Sequence, residues 1–296
     1  MSAPSASPAV SLRPILMAVG AAAVWGLWWI PIRVLESLGL SGALGGVAMS
    51  AGATLACLAW VLFKGKLHLS PRAFLGACLA GAAVSSYSAA INHSDVVRVV
   101  LLFYLAPAWS KLIEWGVLGM AWRWTSSVAL VSAGVGAYLV LGGNLGGLTL
   151  NFGDMLALFS GLAWAMGAAF VFTDGKSDAM GLTLGTCGAA MVLGGLLFFL
   201  EPASAEVAIN AAATLLGMAI GLAYMLPVML ITLWSAQRLP PALMSFLLTA
   251  EILAGVVSGV LLLSEPFTLW QAIGAGLIIF GAVSEVLPAL MARERR

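Results

Sequence analysis

Four ionisable residues fall inside long apolar stretches of this 296-residue chain: Lys111, Glu114, Glu251 and Glu285. Within lipid such a side chain costs roughly 2.5–3.5 kcal/mol on insertion scales, so each must be paired, neutralised or reached by water. Glu285 lies near the end of its stretch, where a long side chain can snorkel to the headgroup layer. Lys111 and Glu114 are three residues apart and share one helix face. They read either as a local ion pair turned towards the interface or as a wet site where Lys111 attracts a substrate carboxylate. Glu251 is the more demanding case, because it sits near the middle of its stretch with no basic residue within a turn. Two readings of it stay open: an interhelical hydrogen bond that holds the fold, or a role in coupling or cavity polarity.

Aromatic residues form the second candidate set. Trp25, Trp164 and Tyr224 fall near the centres of apolar stretches, and Tyr87 and Tyr104 are moderately deep. A tyrosine hydroxyl in hydrocarbon needs a partner, which favours a cavity-facing position. These five are the candidate substrate-binding residues, able to stack on a planar molecule. Trp28, Trp29 and Trp109 are placed less firmly and could face lipid. His93, beside Asn92 at a span end, is positioned to touch a passing substrate, whereas His68 reads as a solvated loop residue. No glycine loop with a lysine, no metal-ligand cluster and no nucleophile–base pair is present, so no enzyme chemistry, cofactor or metal is expected. Cys57, Cys78 and Cys187 lie in apolar stretches and read as packing residues. The net charge of +1, without a basic run, argues against a nucleic-acid partner.

The elements that must hold these residues follow from composition. Apolar residues make up 62% of the chain and charged residues 8%, against about 45–50% and 25% in soluble proteins. A soluble domain could not cover its surface with so few charges. Ten stretches approach the roughly 20 apolar residues that a span needs. They lie near 14–35, 41–63, 73–92, 96–120, 124–142, 152–173, 179–200, 208–234, 240–263 and 267–290. Breakers separate them at Gly39 and Gly42, Lys64 to Ser70, Asn144 to Gly147, Asp174 to Asp178, Glu201-Pro202 and Pro240-Pro241. The runs lack the alternation of a barrel strand, so the expected class is all-α and membrane-embedded. Residues 1–13 read as a short tail, with no convincing cleavable signal, and 291–296 as another.

Charge sets the expected topology. With both termini cytoplasmic, the inner loops hold Arg13, Lys64, Lys66, Arg72, Arg123, Lys176, Arg238, Arg293, Arg295 and Arg296, and the outer ends only Arg33 and Arg98. That is the positive-inside pattern. Glu36, Asp95, Asp154, Glu201, Glu206 and Glu265 gather at the outer ends in agreement. Trp60, Trp122, Trp124, Trp234 and Trp270 fall at span ends, where an amphipathic ring suits the headgroup layer. Pro31, Pro107 and Pro227 lie within spans and predict kinks.

The two halves of the chain correspond. Residues from Pro107 to Gly136 match those from Ile252 to Gly281 at a constant offset of 145, which sets Asn92-His93 on Gln237-Arg238 and Met120 on Glu265. Trp25 corresponds to Trp164 at a smaller offset, because the loops differ. Five helices per half is an odd number, so the second half enters the membrane from the opposite side. The expected units are 14–145 and 146–290, inverted repeats about an axis in the membrane plane, an arrangement suited to alternating access around a midplane site.

The residues just aligned also resemble a family. AVWGLWWI in the first span, FYLAPAW around Pro107 and VLLLSEPFTLWQAIGAGLIIFGAV at the end look like the drug/metabolite transporter superfamily, whose ten-helix members carry two inverted EamA-type repeats. YSAAINHSD after Ser86 and the aromatic-rich interior look most like its aromatic-amino-acid exporter branch. The chain departs from the repeat pattern at Met120, where a glutamate is usual, and at Ile252, where a proline is usual. The resemblance implies a monomeric secondary transporter in the inner membrane that exports small metabolites, with aromatic amino acids as the expected substrate and lipid as its surroundings. The alternative is proton-coupled efflux of a cationic drug through Glu251.

Overall fold

The computed structural model describes residues 12–40, 43–64, 66–116, 124–141, 150–171, 174–200, 210–239, 247–265 and 267–294, with Gly119, Trp122 and Met244 singly. Asn144 to Gly147, Glu201-Pro202, Pro240-Pro241, Met120, Arg123, Glu206, Arg295 and Arg296 lie outside the described residues. So do the side chains of Glu114, Glu285 and Arg293.

Every regular element among the described residues is helical. An apolar segment in lipid has no water to satisfy its backbone, and a helix satisfies it internally. In chain order the helices are α1 (Leu12–Gly26), α2 (Trp29–Ser37), α3 (Leu44–Lys64), α4 (Pro71–His93), α5 (Val96–Phe103), α6 (Ala106–Gly116) and α7 (Trp124–Val140). They continue as α8 (Phe152–Val171), α9 (Ala179–Phe198), α10 (Ala211–Ile220), α11 (Leu226–Ala236), α12 (Ala250–Leu263) and α13 (Leu269–Glu294). Read as continuous stretches, seven are long and apolar enough to cross a membrane: Leu12–Ser37, Leu44–Lys64, Pro71–His93, Val96–Ile113, Phe152–Val171, Ala179–Phe198 and Ala211–Ala236. Three shorter apolar helices, Trp124–Val140, Ala250–Leu263 and Leu269–Ser284, fall where the remaining expected spans lie. This is the pattern of a helical membrane-embedded protein. Its outer face agrees, since Leu62, Phe63, Trp124 and Leu261 are each more than two-thirds exposed, as lipid-facing residues should be.

Three of the long stretches are broken, each four residues before a proline. Pro31 has no N–H for the Leu27 carbonyl, and the chain tightens at Leu27 and Trp28, whose N–H groups bond Val24 and Trp25 instead. Pro107 similarly frees the Phe103 carbonyl and separates α5 from α6. Gly161 of α8 leaves room for that carbonyl, since a β-carbon there would stand 2.6 Å from its oxygen. Before Pro227 the backbone forms one π turn, Gly221–Met225. Ile252 occupies the position that the repeat register pairs with Pro107, and like Pro107 it lies in the first turn of its helix, since α12 begins at Ala250 after a turn at Thr249.

Helix α4 is the deepest element, packed against α8 and α9. Small residues allow the approach: Gly76 and Gly167 face each other so closely that a β-carbon on either would meet the other's carbonyl oxygen at 2.9 and 2.8 Å. Helix α3 packs on α9 and α10, α1 on α11 and α12, α5 and α6 on α8, α5 on α12, and α7 on α13. Polar groups gather at the helix ends. At one end Arg98 bridges the fully buried Asp154 at 2.5 Å, and Ser94 donates to the same carboxylate at 2.9 Å. There too the Glu265 carboxylate accepts the N–H groups of Val96 and Val97, both at 2.9 Å, satisfying the open start of α5. At the other end Asp178 caps α9 and accepts the His68 N–H, while Gln237 donates to the Ser177 carbonyl at 2.7 Å. Asp174 accepts from the hydroxyl of Ser70 and the N–H of Ser177, and the Ser177 bond holds its carboxyl below the ordinary aspartate value.

The tryptophans divide as an interfacial belt requires. Trp60, Trp122, Trp124 and Trp270 are exposed, and Trp234 lies between Arg13 and Arg238, whose guanidinium groups stand 5.8 and 4.1 Å from its ring. Trp28 and Trp29, whose orientation the sequence left open, are buried and do not face lipid. All three cysteines are free, with Cys57 and Cys187 buried, as packing residues would be.

Candidate functional site

A cavity of about 90 Å³ lies where the broken stretches meet α4, α8 and α12. At the ~10–15 Å³ that an enclosed water requires, it has room for several. Trp25, Tyr87, Tyr104, Trp164 and Glu251 line it, so five of the expected site residues converge although they are distant in sequence.

Each wall follows from a local feature. On α1, Trp25 donates through Nε1 to the hydroxyl of Thr232 on α11 at 3.0 Å, and Thr232 donates in turn to the Val228 carbonyl at 2.8 Å. The break imposed by Pro31 follows directly, and Trp28 stands 5.0 Å from Trp25 with its rings tilted by 45°. Its Nε1 donates to Ser88 at 3.0 Å, so both indoles have satisfied donors and fixed orientations. Trp29, one residue on, turns away and donates to Ser258 of α12 at 2.9 Å. The opposite wall is an aromatic relay produced by the Pro107 break. Tyr87 meets Phe103 edge-on at 5.1 Å, and Phe103 meets Tyr104 edge-on at 5.4 Å.

Glu251 is 8% exposed and sits in the first turn of α12, where the helix end favours an acidic group. The Tyr104 hydroxyl stands 2.9 Å from its Oε2 and 2.5 Å from the Leu248 carbonyl oxygen. A phenol has one hydrogen, and both neighbours are acceptors when Glu251 is ionised. A hydrogen on Glu251 satisfies both contacts, with the carboxyl donating to Tyr104 and Tyr104 donating to Leu248. The geometry therefore fits a neutral Glu251.

The remaining candidates stand elsewhere. Tyr224 is outside the lining: its ring packs behind Trp28 at 5.8 Å and its hydroxyl donates to the Val24 carbonyl, so it supports the wall from outside. Lys111 is buried on α6 beside the lining residue Ser110, but is not itself part of the lining. His93 lies at the end of α4, edge-on to Phe152 at 5.3 Å, also outside the lining. Sequence reasoning left out Trp28, Phe103, Ser110, Ser160, Thr232 and Leu248, which complete the walls. Two of them carried a signal: Trp28 is one helical turn from Trp25, and Thr232 lies 145 residues from Tyr87. Among the described residues no cluster of three His, Cys, Asp or Glu could hold a metal ion.

No family model matches this chain, and no curated protein matches it. Solved structures do. One crystal structure aligns with 95% of this chain and 98% of its own at a TM-score of 0.63, with 18% sequence identity. The helical arrangement therefore recurs in a protein sharing fewer than one residue in five with it, and the likeness is one of fold.

Proposed function

We propose that the chain is a secondary transporter of small metabolites with a planar aromatic body, of the drug/metabolite transporter type, working by alternating access. In this reading the seven long and three short apolar stretches are ten spans in two inverted five-helix repeats. Both termini face the cytoplasm of a bacterial-type inner membrane, and cargo moves outwards. The resemblance favours aromatic amino acids as that cargo.

The observation that carries the reading is the composition of the cavity wall. The offset of 145 read from the sequence carries Tyr87 to Thr232, Phe103 to Leu248 and Ala106 to Glu251, and all six line the cavity. The corresponding tryptophans, Trp25 and Trp164, line it as well. A site built from equivalent positions of two repeats lies on the axis that relates them, where alternating access requires it. Helix neighbours support the same pairing. Exchanging the proposed halves turns the packing of α4 on α8 and α9 into that of the α10–α11 span on α1 and α3, while α7 with α13 and α3 with α9 exchange into themselves. In the α7–α13 pair the agreement reaches single residues. A β-carbon on Gly136 would stand 2.6 Å from the Gly274 carbonyl oxygen, and one on Gly281 2.8 Å from that of Ala129. The same offset interchanges these two contacts.

Movement has a physical source in the three breaks, where backbone groups already lack their regular partners and can change dihedrals at low cost. The test is flux. Purified protein in liposomes should move labelled tryptophan, phenylalanine or their decarboxylated amines above empty liposomes, and flux of none of these would retire the reading. Trp164→Ala removes one of the paired indoles and should weaken apparent affinity about tenfold, equivalent to about 1.4 kcal/mol. Unchanged flux in that variant would remove Trp164 from the site.

A further inference from the structure

We infer that the rim where α1 begins and α11 ends holds the phosphate head of an anionic phospholipid, clamped by Arg13 and Arg238 around Trp234. The inference concerns the lipid face of the protein and does not depend on what crosses the cavity.

Two cations converge here from different helices. The Arg13 guanidinium, in the first turn of α1, stands 5.8 Å from the centre of the Trp234 ring, and that of Arg238, just beyond α11, stands 4.1 Å from it. Helices α1 and α11 pack together, so the ring lies at their seam, and both arginines are exposed beside it. Among the described residues neither guanidinium meets a carboxylate. The acids of this rim are already taken: Asp174 accepts from Ser70 and Ser177, and Asp178 from the N–H groups of His68 and Gly181. Helix α13, which carries Glu285 and Glu294, packs on α6 and α7. Arg13 also sits at the end of α1 where unpaired N–H groups favour an anion over a cation. An anion held by both guanidinium groups offsets that unfavourable placement and the mutual repulsion of the pair.

The surface below the pair says which anion. On the face of α1 that carries Arg13, Leu16 is exposed, and a β-carbon at Gly20 would meet nothing within 4 Å. The charges therefore cap an apolar shelf that runs along the span, with room for an acyl chain beside the glycine. A guanidinium offers paired N–H groups that match two phosphate oxygens at once. Basic pockets between spans bind lipid phosphates on the same principle. A choline or ethanolamine lipid brings a cation of its own to this place, so the site favours a head with net negative charge. Arg72, at the same rim, is the contrast, since it stands alone over Phe170 at 5.6 Å among the described residues. Bound in this way, the phosphate joins a helix of the proposed first half to one of the second. Its seam is the one that Trp25 and Thr232 tie at the cavity wall.

The test measures lipid retention by native mass spectrometry of the full-length protein released from a neutral detergent. Phosphatidylglycerol and phosphatidylcholine with identical acyl chains are supplied in turn. One phosphatidylglycerol should bind about tenfold more tightly than phosphatidylcholine. Arg13→Gln combined with Arg238→Gln should abolish that preference, whereas Arg72→Gln should keep it. Millimolar inorganic phosphate should leave the lipid bound. Equal binding of the two lipids overturns the proposal, as does a preference that survives the double substitution or falls as far in Arg72→Gln. Displacement by inorganic phosphate makes this a site for a free anion and overturns the lipid assignment. Should the double variant not fold, the lipid and phosphate comparisons on the unaltered protein decide the matter.

Discussion

The approach of α3 to the α10–α11 span gives a sharp test of the packing, through Gly221→Ala. A β-carbon at this position would lie 2.6 Å from the Met49 carbonyl carbon and 2.8 Å from its Cα, with the carbonyl oxygen nearer still. Ordinary contacts begin at 3.4 Å. The obstacle is backbone, so no rotamer change relieves it, and α3 must retreat by about 1 Å. Overpacking of this kind costs about 1–3 kcal/mol where side chains can adjust, so the upper end applies here. Alanine is intrinsically the better helix former by about 1 kcal/mol, which offsets part of this. A net loss of about 2 kcal/mol is expected. Gly276→Ala on α13 is the control, because its β-carbon meets nothing within 4 Å. There only the helix-forming gain acts, and the variant should be slightly more stable. Thermal unfolding of both proteins in the same detergent, followed by size-exclusion of the surviving fraction, compares them directly. The same substitution should shift the midpoint in opposite directions at the two sites. If Gly221→Ala matched or exceeded the parent, the close backbone contact between α3 and the π turn would be refuted.

Two further outcomes follow from the helix ends. Arg98→Met strands the buried Asp154 carboxylate and should cost about 3 kcal/mol, with Asp154→Asn in the same chain recovering part of it, again read by thermal unfolding. Equal stability of Arg98→Met and the parent would contradict the bridge. In the 174–178 loop, the lowered Asp174 value means that its contribution is present above the unfolded-state value, about 3.9, and is lost as pH falls through the folded one. Hydrogen exchange at the Ser177 amide, referenced to its intrinsic rate, should therefore lose protection in acid below about pH 4. It should remain flat between neutral pH and 5.

Much of this site was legible because lipid makes polarity expensive. Glu251 stood out as an isolated carboxyl in an apolar stretch, and the structure gives it the interhelical hydrogen bond and the cavity position together. Trp25 and Trp164 were singled out by depth and repeat correspondence, and Tyr87 and Tyr104 by depth, since an amphipathic ring far from the headgroups must face something other than lipid. Depth failed for Tyr224. The π turn before Pro227 shifts the register of that span, and a residue at the correct height points behind Trp28 instead of into the cavity. It failed for Trp28 and Trp29 in the opposite sense, since the break before Pro31 decides which way adjacent indoles turn. Lys111 shows a related limit: its neighbour Ser110 lines the wall while it does not, and one residue of rotation, about 100°, is finer than span boundaries can be read. Thr232 and Ser160 gave no signal of their own type, because small hydroxyl residues are common in helices that pack closely.

The carboxylate of Glu265 holds two backbone N–H groups at the start of α5, and its counterpart in the proposed first repeat is Met120. A thioether is a far weaker hydrogen-bond acceptor than a carboxylate, so the chemistry of this clasp is not repeated in the sequence at residue 120. The Glu265 clasp ties the start of α5 to the segment between α12 and α13, across 168 and 169 residues of chain. Any motion that parts those two segments must release both amides together.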